Sequence, residues 1–111
     1  MKASDFFHKN PENYNCAQAI LKAWQGRLEI SDKEIEEFRQ WGGGRAKDGL
    51  CGALFAANYL LEKQGKASIT KEFTAQVGSA DCREIKRVNK VPCSRCVDIA
   101  DELSELRFLN N

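Results

Sequence analysis

The sequence predicts an all-α fold, one compact single-domain bundle of about five helices spanning residues 1–111. Three observations predict it. Apolar residues recur at intervals of three and four in several separate blocks, the spacing that gathers them on one face of a helix. Cap-forming residues precede those blocks, and glycine or proline stands at their ends. Alternation of strand type is almost absent, and no repeat, low-complexity tract or linker divides the chain. With 42% hydrophobic and 30% charged residues, 111 residues can bury a single core.

The elements follow in order. Residues from Asn13 to Trp24 carry Ala17, Ile20, Leu21 and Trp24 at helical spacing, with Asn13 as the expected cap and Gly26 as the expected C-terminal stop. Ser31-Asp-Lys-Glu34 has the spacing of a capping box, and Ile35 and Phe38 follow on one face. The run WGGGRAKDG at 41–49 then breaks regular structure. Leu50 to Gln64 resumes it, with Asp48 as the expected cap, Leu54, Phe55, Tyr59 and Leu61 as core candidates, and Gly65 as the stop. A short helix is expected from Ser68 to Val77, and Asp81-Cys-Arg-Glu84 again has capping-box spacing. Pro92 suits the first position of a last helix, where its missing N–H costs nothing, and Val97, Ala100, Leu103 and Leu106 form the apolar stripe. Phe6 and Phe7 are expected to pack the N-terminal segment onto the domain or onto a second subunit. Trp24 and Trp41 are expected as core or interface aromatics. Gly52, Ala53, Ala56 and Ala57 give a small-residue face for close helix contact, within the chain or across a homodimer.

Charge narrows the function classes. Seventeen Lys and Arg against sixteen Asp and Glu leave a net charge of +1, so no whole-molecule field gathers nucleic acid or anionic lipid. The N-terminal MKASDFFHKNPENYN lacks an apolar segment and cleavage site, and no run approaches the ~18 apolar residues of a membrane span. A soluble, cytoplasmic protein is the expectation. The glycines at 42–44 match neither phosphate-cradling motif. Glu34, Glu36 and Glu37 are expected on a solvated helix face, and His8 on the surface. No self-contained catalytic site emerges.

Five cysteines in so short a chain are the anomaly. In a reducing compartment clustered cysteines point to metal binding or thiol chemistry rather than to persistent disulfides. Cys16, Cys51, Cys82 and Cys93 all fall in expected first turns. There, unpaired backbone amides and the positive end of the helix dipole lower a thiol's pKa and favour a thiolate. If those helix starts converge, they build an anion-friendly pocket lined with sulfur, with Gly52 admitting close backbone approach. Arg45 and Lys47 stand ready to offset its negative charge. Against this stands the plain alternative that each cysteine is a small core residue.

The blocks YNCAQAIL (14–21), WGGGRAKDGLCGALFA (41–56), GSADCRE (78–84) and PCSRCVDIADEL (92–103) together resemble the C_GCAxxG_C_C family of redox-active proteins, in order from Tyr14 to Leu106. The resemblance implies cysteine roles for Cys16, Cys51, Cys82 and Cys93. It further implies a redox role, one without a known reaction for most stand-alone members, while similar domains accompany haem modules in some cytochromes where an iron–sulfur cluster is implicated. Two departures stand out. Ala56 replaces the last glycine of Cys-Gly-Ala-x-x-Gly, a small substitute that still permits close packing. Cys96 is additional and makes Cys93-Ser-Arg-Cys96, so Cys93 is the preferred fourth ligand and Cys96 the alternative.

Four thiolates suit either a tetrahedral zinc site or an iron–sulfur cluster. Zinc knuckles usually pair short-spaced cysteines, whereas here one Cys-x-x-Cys joins isolated ones, which favours the cluster. Val97 stands where haem attachment needs histidine. The expected function is therefore a cysteine-ligated redox centre, iron–sulfur first and zinc as alternative, serving electron transfer or redox sensing with a partner protein. Two other readings are dithiol exchange by Cys93 and Cys96, and a non-catalytic helical interaction module whose cysteines bind structural zinc or pack the core.

Overall fold

Five α-helices follow one another among the described residues: α1 (Cys16–Trp24), α2 (Asp32–Glu37), α3 (Gly52–Lys63), α4 (Thr70–Val77) and α5 (Cys93–Leu109). Short 3-10 turns lie at Ala3–Asp5 and Phe38–Trp41, and a π-helical turn lies at Glu84–Val88. The computed structural model describes residues 2–42, 44–46 and 49–109. The expected roles of Lys47 and Asp48 therefore lie outside the described residues, as does Gly43. Those described contain no strand, only isolated bridges pairing Phe7 with Tyr14 and Leu50 with Asp81. Nor is any of their helices long and apolar enough to cross a membrane.

α1 is the buried axis. Asn15, not Asn13, caps it: the Asn15 carboxamide oxygen accepts the Gln18 amide at 2.8 Å, and the Gln18 side chain accepts the Asn15 amide at 3.1 Å. Only Asn15 stands three residues before a glutamine, which completes the reciprocal box. The Asn15 Nδ2 also donates to the carbonyls of Phe38 and Arg39, fastening the start of α1 to the turn after α2. Ala17, Ala19, Ile20, Leu21 and Trp24 are buried, and the buried Gln18 carboxamide donates to the Ile35 carbonyl at 3.0 Å. Gly26 does not end the helix. Gln25 occupies the C-cap in right-handed conformation, and the Arg27 and Leu28 amides turn back to the Trp24 carbonyl.

Ser31 caps α2 by accepting the Glu34 amide at 3.0 Å, but Glu34 does not return the bond. Its carboxylate instead crosses to α3, where the Tyr59 hydroxyl and the Lys63 ammonium donate to it. The expected solvated face is thus split. Glu36 pairs with Arg39 and Glu37 is exposed, while the Glu34 side chain is only 17% exposed.

Helix α3 packs on both α1 and α5, and its pairing with α1 is the most extensive among the described elements. The small-residue face is used here, with Gly52, Ala53, Ala56 and Ala57 all buried. Leu54 and Leu61 are buried as expected, whereas Phe55 and Tyr59 sit at the edge of the core against the rings of Phe38 and Trp41. Gly65 stops the helix with φ +69°: the Lys66 amide reaches the Leu61 carbonyl at 2.8 Å and the Gly65 amide reaches Glu62 at 3.1 Å. That pattern satisfies carbonyls the helix leaves orphaned.

Pro92 lies one position earlier than expected. Its carbonyl accepts the amides of Arg95 and Cys96 at 3.0 and 3.1 Å, so it precedes α5 and Cys93 is the first helical residue. Val97, Ala100 and Ser104 face inward, which turns Leu106 outward: two residues past Ser104 is a rotation of about 200°. Leu106 is accordingly 52% exposed, against expectation. The Trp24 indole donates to Asp101 at 2.8 Å, and Ser4 donates from its amide and hydroxyl to Asp98, so α5 also anchors the N-terminal segment. Phe6 and Phe7 pack on the core of their own chain.

The Glu34 bridge has a pH signature. The Tyr59 hydrogen bond, opposed by burial and assisted by Lys63, holds its carboxyl below the ordinary 4.5. A folded pKa below the unfolded one contributes stability above pH 4.5 that is lost as pH falls through the folded value. Glu34→Gln should therefore lose about 1 kcal/mol at pH 7 in urea unfolding, with the difference from wild type vanishing in acid.

Candidate functional site

The five cysteines come from four separate parts of the chain and line one cavity, together with Ile85 and Lys86 of the π-helical turn. Its volume is about 10 Å³, roughly the room of one water molecule. Cys16 and Cys93 are the first residues of α1 and α5, and Cys96 follows one turn into α5. Cys51 occupies the N-cap of α3. Cys82 follows Asp81, whose carboxylate accepts the amides of Arg83 and Glu84 at 2.9 and 3.1 Å. The Cys51 amide donates to the Ala80 carbonyl at 2.9 Å, clamping the start of α3 to the segment that carries Cys82.

Glycines let these sulfurs approach the backbone. A Cβ on Gly52 would stand 2.6 Å from the Cys16 sulfur and 2.9 Å from the Trp41 carbonyl oxygen, inside any normal contact. Gly44 packs against Cys82, where a Cβ would meet the cysteine Cβ at 3.3 Å. Gly44 of the glycine-rich run thus lies beside Cys82.

The expected thiol acidity is overturned at two positions. The Cys51 pKa is pushed up, first by a hydrogen bond with Cys96 and then by burial, and the amides of Ala53 and Leu54 at the helix start only partly oppose this. The Cys82 thiol is also pushed up, chiefly by burial, with the Lys86 charge acting the other way. Cys96 goes down because the Cys51 hydrogen bond outweighs its own burial. The Lys86 ammonium is bonded to Cys93, which raises its pKa and keeps it charged. Cys93 is half-buried, the other four are buried, and all five are thiols rather than disulfides.

Lys86 was not singled out from the sequence. A lysine four residues after Cys82, in the same capped segment, was the available signal. Arg45, the residue expected to offset charge, instead donates to the carbonyls of Gly42 and Arg39 at 3.0 Å and braces the loop. His8 is exposed and stacks on Phe7.

Among the described residues no three His, Cys, Asp or Glu side chains stand at ion-coordinating spacing. The donor chemistry nevertheless suits a soft metal or an iron–sulfur cluster, which takes four thiolates, and five sulfurs line this cavity. A profile for the family described as "Putative redox-active protein (C_GCAxxG_C_C)" matches residues 14–106. No curated protein and no solved structure matches the chain.

Two outcomes follow from the packing. Gly52→Ala should cost about 1–3 kcal/mol of stability by urea unfolding, because the methyl group has a backbone carbonyl on one side and a buried sulfur on the other. In reduced, metal-free protein, iodoacetamide followed by peptide mass mapping should label Cys93 first. The four buried cysteines should trail it by about tenfold or more.

Proposed function

The chain belongs to the C_GCAxxG_C_C family, and on that footing we propose that its dispersed cysteines hold an iron–sulfur cluster for electron transfer or redox sensing. Cys16, Cys51, Cys82 and Cys93 are the proposed ligands, with Cys96 the alternative to Cys93. The observation that carries this reading is the gathering of all five sulfurs on one cavity from helix starts far apart in sequence. When bound, such a cluster supplies one-electron redox chemistry.

The chain's own residues have definite parts in this reading. The amides of Ala53 and Leu54 lie at the Cys51 sulfur and favour its deprotonated, ligating form. Lys86 places a positive charge beside Cys93 and Cys82, offsetting the repulsion among thiolates. Gly52 and Gly44 hold the space that side chains would otherwise fill. Ile85 contributes an apolar wall, and the burial of four cysteines keeps water from most of the sulfur.

Dithiol exchange is the second reading, and the Cys51–Cys96 hydrogen bond favours it. The bonded pair joins α3 to α5, so Cys96 has a thiol neighbour other than its Cys-x-x-Cys partner Cys93. Iron, zinc and acid-labile sulfide per chain, measured with a visible spectrum on protein purified without oxygen, test the two. Near-stoichiometric iron and sulfide, lost in Cys51→Ser, are the expected result. Zinc alone would sink the cluster reading in favour of a structural site, and a metal-free chain with a reversible disulfide would sink it in favour of thiol exchange.

A further inference from the structure

We propose that the mouth of the cysteine cavity is a docking surface for an acidic one-electron carrier protein, an inference that rests on the redox reading above. Lys86 and Cys93 line both the cavity and an open groove outside it, whose other walls are Lys90, Val91 and Pro92. The groove therefore leads to the most accessible of the five sulfurs. Lys86 and Lys90 line it, and Arg83, Arg87 and Arg95 lie on the same segment of the chain; all five are exposed. Within residues 83–95 these five cations stand against one carboxylate, Glu84, a local surplus of four in a chain whose net charge is +1. The remainder of the chain is correspondingly acidic.

Four cations elsewhere are held in ion pairs, Arg27–Glu105, Arg39–Glu36, Lys63–Glu34 and Arg107–Glu72. Among the described residues none of the five cations of this segment has a carboxylate partner in an ion pair. Exposed like charges on one short segment repel each other, and an arriving anionic surface relieves that repulsion. The half-buried Val91 and exposed Pro92 and Val88 add the apolar contact that a protein surface uses and a small anion does not. An extended nucleic acid fits less well. Residues 83–95 include no aromatic side chain on which a base could stack.

The test uses protein prepared without oxygen and a reduced plant-type ferredoxin as the acidic one-electron probe. Stopped-flow electron transfer is compared with binding of the fluorescently labelled probe, each at about 20 and about 300 mM salt. Arg87→Glu/Lys90→Glu is the variant, since neither residue lines the cavity. The expected result is a loss of about tenfold or more in rate and binding, both on raising salt and in the variant. Iron content and reduction by a small neutral mediator should stay at wild-type values. Equal rates and binding in variant and wild type, no binding by wild type, or tighter binding of a 20-base-pair DNA would overturn the proposal. If the protein carries no reducible centre, the redox reading fails on its own evidence. Probe binding by the two metal-free forms then decides the docking surface, variant-sensitive binding supporting it and equal binding overturning it.

Discussion

The close approach of α1 and α3 at Gly52 is the constraint on which the rest of the structure depends. No side chain fits there, because the Cys16 sulfur and the Trp41 carbonyl already occupy the space. The alanines that continue along α3 keep the two helices close over the following turns. This one contact sets the start of α1 against the start of α3. Asn15 then fastens α1 to the turn after α2, and the Cys51 amide fastens α3 to Ala80. Cys16, Cys51 and Cys82 are thereby brought together before α5 contributes its own two sulfurs.

A second theme is competition between the helix terminus and burial. Backbone amides at a helix start favour a thiolate by a small amount per group, whereas removal of a sulfur from water opposes ionisation more strongly. At Cys51 the Cys96 hydrogen bond and burial win over the amides of Leu54 and Ala53. Cys96, less favoured by position, is the one held down, through its hydrogen bond with Cys51. The reactive character of a cysteine here follows from which sulfur it faces, and that is a tertiary property.

The same distinction separates what the sequence disclosed from what it did not. Local devices were legible: the Ser31 cap, the Gly65 stop, the small-residue face of α3, the helical blocks and the family motifs are short-range patterns with physical causes. Errors arose where two local candidates competed. Asn13 and Asn15 are chemically equal caps until Gln18 is counted, and Gly26 gives way to Gln25 because the turn after Trp24 needs no left-handed residue. Glu34 completes a capping pattern on paper, yet α3 offers it a tyrosine and a lysine that no local rule foresees. Convergence of the cysteines could be imagined but not read, and neither Lys86 nor the Cys51–Cys96 pair carries a signature in spacing alone.

The clamp between Cys51 and Ala80 has a consequence for how the protein is made. Its sulfur cavity has no local precursor: Cys16 and Cys93 meet only when α1 and α5 are both docked, and Cys51 and Cys82 only when the segments between them are joined. A chain emerging from the ribosome passes through a stage in which its first thiols are solvent-accessible and their partners are not yet synthesised. Any oxidant or stray metal ion encountered then finds mismatched sulfurs, and a wrong link would hold helices apart rather than together. Completion of the fold thus acts as quality control on the thiols, gathering all five on one cavity only in a chain whose last helix has arrived.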